Sequence, residues 1–206
     1  PDIVQLGTAW PPDEILPIKR MQRTISAVAR REPALLSKVS CYDVSESNFL
    51  RQVTRRALDW GKLDPHEIVV TNSCTEAISL CLRAVARPGD TIAIESATYF
   101  VLLQMIESLG MKALEIPTDP KTGPSLDALE LALRAGLVQA CLFVPNANNP
   151  LGCVMPEANK KRLAGLLSEF NIPLVEDDVY GDLCFAPQRP WPVKAYDTSG
   201  NVLLCS

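Results

Sequence analysis

The chain has 206 residues, of which 47% are hydrophobic and 21% charged, with a net charge of −4 at pH 7. This composition is typical of globular proteins and argues against extensive disorder, membrane spans and a nucleic-acid-binding surface, which needs clustered lysine and arginine. The seven cysteines are scattered and only one histidine is present, so no disulfide scaffold or zinc site is predicted, and we expect a reduced, cytoplasmic protein.

Residues 1–62 are predicted to form an N-terminal arm and a helical segment. Pro11, Pro12 and Pro17 indicate irregular structure, and the residues around 49–60 favour a helix. The chain opens without a methionine and stops at Ser206, directly after an apolar run. We therefore expect a fragment of a longer protein.

Residues 63–206 alternate short apolar runs with helical patterns. The apolar runs predict strands at 67–71, 91–95, 112–116, 138–144, 172–176 and 201–205. Helices are predicted after residue 71, at 99–109, from 126 to a stop at Gly136 with Ser125 as the cap, and at 156–171. In the last helix, Lys160 is predicted to lie away from the apolar face. This alternation predicts right-handed βαβ units and a mainly parallel sheet.

Ligands of open α/β sheets bind at the carboxyl ends of the strands, and the first such end is Thr71-Asn72-Ser73-Cys74-Thr75. Small and hydroxyl residues that lead into a helix expose backbone N–H groups, which suit a phosphate, although a simple helix cap explains them equally well. The second end is the amide-rich stretch 146–152, which is either a turn or a source of an amide for a ligand oxygen.

The third strand end contains Glu176, Asp177 and Asp178, followed by Tyr180. Adjacent acids at a buried strand end are unfavourable unless a cation faces at least one of them. A salt bridge, a solvated loop, a metal bridging to phosphate or an organic cation such as a protonated pyridine would each satisfy them. Together the three ends favour a phosphorylated aromatic cation, and pyridoxal phosphate is such a ligand.

Four stretches make the chain resemble a known family. They are "IVVTNSCTEAISLCLRAVARPGDTIAIESATYF", "ALEIPTDPKTGPSLDALELAL", "VPNANNPLG" and "IPLVEDDVYGDL". They resemble fold-type I pyridoxal-phosphate enzymes of the class I/II aminotransferase group, and in particular the aminotransferase-like domain of GntR-family transcriptional regulators of the MocR type. The resemblance implies an α/β fold: the three-layer, mainly parallel sheet of the large domain, truncated before its last strand, with residues 63–206 as its partial cofactor-binding domain.

The resemblance also implies a role for each site residue. The backbone N–H groups of Ser73 and Cys74, with Thr75 adjacent, would bind the cofactor phosphate. Asp177 would pair with the protonated ring nitrogen. Tyr99 would stack on the pyridine ring. Asn149, beside a cis Asn149–Pro150 bond, and Tyr180 would both form hydrogen bonds to the ring hydroxyl oxygen. Tyr42 would contact the phosphate of a neighbouring subunit.

The family's Schiff-base lysine follows the strand that corresponds to 202–205, so the resemblance places it beyond Ser206. Without that amine this chain is expected not to transaminate. The regulator resemblance implies a homodimer, an amino acid or pyridoxal phosphate as the effector, and DNA contact only through an upstream domain. Two alternatives remain open: part of a free-standing aminotransferase, and a Mg²⁺-dependent phosphate-binding domain that uses Glu176, Asp177 and Asp178.

Overall fold

The structure is a computed structural model that describes residues 13–36, 48–57, 61, 63–185 and 187–206. The chain divides into two compact units, Pro1–Ser47 and Asn48–Ser206. A domain boundary between residues 62 and 63 remains a prediction.

The helices of the described residues are α1 Ile18–Arg31, α2 Asn48–Ala57, α3 Cys74–Val85, α4 Phe100–Ser108, α5 Leu126–Arg134 and α6 Glu157–Phe170. The strands are β1 Thr91–Glu95, β2 Lys112–Ile116, β3 Thr118–Asp119, β4 Gly123–Pro124, β5 Ala140–Phe143, β6 Leu174–Asp177 and β7 Val202–Cys205. None of the helices in the described part of the chain combines the length and the apolar character that a membrane span needs.

Five strands form one sheet in the order β2-β1-β5-β6-β7, and each neighbouring pair is parallel. The short strands β3 and β4 pair antiparallel outside it. Because parallel strands point the same way, their carboxyl ends meet at one edge of the sheet. Glu95, Phe143, Asp177 and Cys205 end four of the strands at that edge. The predicted mainly parallel α/β fold is therefore confirmed.

Alternating strand residues separate two hydrophobic cores, one on each face of the sheet. One face, which includes Ala93 and Phe143, packs against apolar residues of α5 and α6. The other face, which includes Ile92 and Leu142, packs against α3 and α4. The sheet thus lies between two helical layers, as the three-layer prediction requires.

Local signals placed most of these helix ends correctly. The Ser125 side chain accepts a hydrogen bond from the Ala128 N–H at the start of α5. Gly110 and Gly136 follow α4 and α5 with φ values of +70° and +66°, a backbone region that favours glycine.

Three sequence predictions need correction. The stretch 67–71 is not a strand: Val69 is 79% exposed, and none of the sheet pairs in the described residues includes this stretch. The residues after Pro17 form the helix α1 and not an irregular arm, because a proline is tolerated at a helix start. Finally, Lys160, which was predicted to lie away from the apolar face of its helix, is buried, with 2% of it exposed.

Candidate functional site

The candidate site lies where the N-terminus of α3 meets the end of β6. The Cys74 thiol lies 3.6 Å from Asp177 Oδ1 and donates to it. Residues 73–75 and Asp177, which are a hundred positions apart in the sequence, therefore share one location. The structure therefore brings together, by direct contact, the first and the third of the stretches that the sequence predicted as ligand-binding strand ends.

The start of α3 has free hydrogen-bond donors. Ser73 caps the helix by accepting the Glu76 N–H at 3.1 Å. The Glu76 carboxylate in turn accepts the Asn72 N–H at 2.6 Å. Within the described residues, no acceptor is found for the backbone N–H groups of Cys74 and Thr75. The cap and the phosphate interpretation are thus compatible, because free N–H groups at the positive end of a helix bind anions.

Glu176 and Asp177 end β6 and point to opposite faces of the sheet, as successive strand residues do, and Asp178 directly follows the strand. Glu176 accepts the N–H groups of Val193 and Lys194 at 2.6 and 2.9 Å. Asp178 pairs with Arg189 and also accepts from Asn146 at 2.8 Å. Two of the three carboxylates therefore have strong partners on the face opposite α3.

Asp177 is the exception, because no lysine or arginine in the described part of the chain pairs with it or acts on its pKa, whereas Arg189 pairs with Asp178 and the Lys160 ammonium opposes the burial that raises the pKa of Glu176. Burial is the main cause that raises the pKa of Asp177, and the neighbouring Asp178 carboxyl raises it further. The Val179 N–H, at 3.1 Å, and the Cys74 thiol lower it. A 7% exposed carboxylate without a cation is an unfavourable arrangement that a cationic ligand would relieve.

Two buried polar atoms near the site lack a hydrogen-bond partner in the described residues, Thr98 Oγ1 and Asn148 Nδ2. Each is next in sequence to a predicted ligand residue, Tyr99 or Asn149. Leaving a buried polar group unpaired costs about 1–3 kcal/mol. Polar ligand atoms would satisfy such groups, so the residues present fit a phosphorylated hydroxypyridine.

The other predicted residues lie in loops at the same edge of the sheet. The Asn149–Pro150 bond is cis, as the resemblance implied. Tyr99 immediately precedes α4, is 38% exposed and has its ring 5.0 Å from that of Phe100 in an edge-to-face arrangement. Tyr180 is half-buried and begins the turn after β6. Tyr42 lies outside the described residues, and the ligand roles of all these residues remain predictions.

No group of three side chains that could hold a metal ion is found among the described residues. The carboxylates of Glu176 and Asp178 already bind protein groups on one face of the sheet, and Asp177 lies on the other face. This separation weighs against the hypothesis that the three acids form a magnesium site.

Glu95 belongs to this edge and was missed by the sequence interpretation. It is 2% exposed, ends β1, and accepts the Val144 N–H at 3.0 Å. Burial raises the pKa of Glu95 to about 8, and the nearby Asp177 carboxyl acts in the same direction. The Asn148 side chain opposes this rise, although its Nδ2 has no hydrogen bond of normal geometry. Glu95 could have been identified from the sequence, because it is an acid at the carboxyl end of the apolar run 91–95, which predicts a buried strand.

Replacing Glu95 by glutamine should change how stability depends on pH. The pKa of Glu95 is about 8 in the fold against 4.5 for a free glutamate, so its contribution to stability is complete below pH 4.5 and is lost as the pH rises through 8. Glutamine cannot ionise, so Glu95→Gln should be more stable than the parent chain near pH 8, by up to about 4–5 kcal/mol, and similar near pH 4.5.

Urea unfolding at both pH values measures this difference. Glu115→Gln on β2, where the side chain is exposed, is the matched control and should follow the parent curve at both pH values. Parallel curves for Glu95→Gln and the parent would show that Glu95 ionises normally in the fold.

Comparisons with known proteins agree with this geometry. The family model described as "Aminotransferase class I and II" matches residues 16–206. Two uncharacterized HTH-type transcriptional regulators of Escherichia coli (strain K12), YjiR and YdcR, are 41% and 37% identical over 99% and 100% of this chain, which corresponds to 43% and 44% of their lengths. The chain therefore spans less than half of these regulators.

A solved structure gives a similar result for the fold. The kynurenine aminotransferase of Pyrococcus horikoshii, crystallised with PMP and its substrates and products, superposes with a TM-score of 0.81 at 26% identity. The match covers 96% of this chain and 50% of that enzyme.

Proposed function

Since this chain belongs to the class I and II aminotransferase family, we propose that it binds pyridoxal 5′-phosphate at the carboxyl edge of its sheet. The single observation that supports this most is the contact of Cys74 with Asp177, because it places free helix N–H groups beside a buried carboxylate without a cation. An anion site next to a cation site matches the two charged ends of the cofactor.

Each residue has a defined task in this proposal. The backbone N–H groups of Ser73 and Cys74, with that of Thr75 adjacent, hold the phosphate. Asp177 keeps the proton on the ring nitrogen, while Asn149 and Tyr180 bind the ring hydroxyl oxygen. Tyr99 covers the ring face, and Tyr42 reaches the phosphate of a neighbouring subunit.

Pyridoxal phosphate, when bound, supplies an electron sink for reactions at the α-carbon of amino acids. The part of this chain in that chemistry is to bind and orient the ring and to keep its nitrogen protonated through Asp177. The lysines with assigned contacts are engaged elsewhere: Lys160 with Asn146, Lys161 with Glu157 and Lys194 with Asp197. None of these three supplies an amine next to Asp177.

At the level of the whole protein, we propose an effector domain of a GntR/MocR-type regulator. The supporting observation is the 41% identity to an HTH-type regulator over nearly the whole chain. This role implies a cytoplasmic homodimer that responds to an amino acid or to pyridoxal phosphate and contacts DNA through another domain. The alternative, a free-standing aminotransferase, is supported by the likeness to the kynurenine enzyme. A basic helix-turn-helix sequence in the same gene would decide for the regulator.

Titration with pyridoxamine 5′-phosphate tests the cofactor proposal, because this form needs no lysine amine for binding. The experiment uses the chain and any longer natural protein that contains it. The proposal predicts binding at least about tenfold tighter than that of unphosphorylated pyridoxamine or of inorganic phosphate, a difference of about 1.4 kcal/mol. Equal affinity for all three ligands would refute it.

A further inference from the structure

Lys160 is a buried cation in an unfavourable place. It lies in the first turn of α6 and is 2% exposed. Lysine is rarely buried to this degree unless it is paired, and the positive end of a helix disfavours a cation. Burial lowers the pKa of the Lys160 ammonium, although the carboxyls of Glu176 and Asp178 raise it. The hydrogen bonds of Lys160 must therefore offset the cost of burying its ammonium group at the start of a helix.

These contacts are with neutral acceptors. Lys160 Nζ donates to Asn146 Oδ1 at 2.6 Å and to the Trp191 carbonyl at 2.7 Å. Asn146 is fully buried, and its Nδ2 donates to Asp178 Oδ1 at 2.8 Å. One chain of hydrogen bonds therefore runs from α6 through the loop after β5 to the end of β6.

Asp178, where this series of hydrogen bonds ends, is held by further contacts. Asp178 is 1% exposed, pairs with Arg189, and its carbonyl accepts the Gly181 N–H at 3.0 Å. That hydrogen bond closes the turn that contains Tyr180. Asp178 thus holds both the side-chain network and the backbone of this turn.

Asn146, in the middle of this series of hydrogen bonds, belongs to the loop that contains Asn149. Asn146 starts the loop, which is closed by backbone hydrogen bonds from Asn148 to the Cys153 carbonyl at 2.9 Å and from Met155 to the Pro145 carbonyl at 2.8 Å. The Asn146 side chain is the link between this loop and the turn after β6.

We propose that Lys160 is a positioning residue which, through Asn146 and Asp178, fixes the two turns that place Asn149 and Tyr180 at the ring hydroxyl oxygen of the cofactor. This inference rests on the proposed function. Lys160 itself does not touch the ligand, because its contacts lie on the sheet face opposite Cys74. Its effect is therefore confined to recognition of the ring hydroxyl, whereas phosphate binding at α3 is independent of it.

Two ligands separate positioning from a general structural role. They are pyridoxamine 5′-phosphate and its analogue without the ring hydroxyl. The parent chain should prefer the hydroxylated ligand by about tenfold, the value of one good hydrogen bond. In Lys160→Met this preference should fall below about threefold, while the affinity for the analogue stays within about threefold of the parent.

Lys161→Met is the matched control, because Lys161 is the next residue of the same helix and its side chain is 57% exposed. This variant should keep the parent preference. A preference retained in Lys160→Met, or an equal loss of affinity for both ligands, would overturn the positioning role alone. Absence of any binding to the parent chain would overturn the proposed function and this inference with it.

Asn146→Asp serves as the second variant in case Lys160→Met does not fold. It keeps an oxygen for Lys160 but removes the Nδ2 donor toward Asp178, so the chain of hydrogen bonds is broken at its middle. The same loss of preference for the ring hydroxyl is expected. An unchanged preference in a folded Asn146→Asp chain would contradict the inference.

Discussion

Asp177→Ala should weaken the binding of pyridoxamine 5′-phosphate about 100-fold or more. Asp177 is 7% exposed and has no cationic partner among the described residues, so the bound ring nitrogen would be its counter-ion. Removing one partner of a buried charge pair costs about 3–5 kcal/mol. Each 1.4 kcal/mol corresponds to about tenfold in affinity. Fluorescence titration of the ligand measures the change.

Replacing Asp177 should weaken ligand binding but increase the stability of the ligand-free chain. Because burial raises the pKa of Asp177, the contribution of this group to stability is present at low pH and is lost as the pH rises through the folded-state value. Asp177→Asn should therefore stabilise the ligand-free chain at neutral pH while it weakens ligand binding. Asp127→Ala, which removes an 82% exposed carboxylate, is the control and should change neither property appreciably. Unchanged ligand affinity in both Asp177 variants would remove this residue from the site.

Gly181→Ala should destabilise the chain by about 3 kcal/mol. A Cβ at this position would lie 2.5 Å from Asp178 Oδ1 and 2.6 Å from Arg189 Nη2. The Asp178 side chain is fully buried and its partner Arg189 is 28% exposed, so the methyl group must displace one side chain of this partly buried ion pair. Leaving a buried charge without its partner costs about 3–5 kcal/mol. Because Tyr180 is adjacent, ligand affinity should fall as well. Chemical denaturation gives the loss of stability.

Gly165→Ala is the matched control for this substitution. Gly165 lies in the interior of α6, and a Cβ there would meet no atom within 4 Å. Since glycine disfavours helix, alanine should stabilise the chain by about 0.5–1 kcal/mol. If Gly181→Ala proves as stable as the parent, the Asp178–Arg189 pair does not fill the space above Gly181.

The sequence predicted the sheet well because its strands are recognisable locally. Continuous apolar runs such as 91–95 predicted strands covered on both faces, and the structure confirms them. The run 67–71 has a similar composition but does not form a strand. A strand is defined by its pairing with a neighbour, and the local pattern of residues 68–70 contains no information about that neighbour.

The sequence predicted where the candidate site would lie in the sheet, but not the contacts that support its side chains. The three consecutive acids 176–178 at the end of β6 indicated that at least one of them must have a partner, and the position of Asp177 at the strand end followed from the parallel topology. Which acid would remain without a nearby cation could not be predicted. The partners of Glu176 and Asp178 are Val193, Lys194 and Arg189, which lie 11 to 18 residues further along the chain, outside any local pattern.

Lys160 shows the same limit for helices. Helical periodicity placed it away from the apolar face, and the assignment of the apolar positions in α6 was correct. Its Nζ contacts Asn146 and Trp191, which lie 14 and 31 residues away in the sequence and belong to other parts of the fold. These contacts accompany its burial. Local periodicity cannot reveal such coverage.

A crystal structure of the chain with pyridoxamine 5′-phosphate would show whether the carboxyl edge of the sheet binds the cofactor. We expect the ring nitrogen at about 2.7–2.9 Å from an Asp177 carboxylate oxygen, the distance of a charge-assisted hydrogen bond. We also expect the phosphate on the backbone N–H groups at the start of α3, from Ser73 to Thr75. A ligand bound elsewhere, with Asp177 facing solvent or a basic side chain of the protein, would contradict the proposed function.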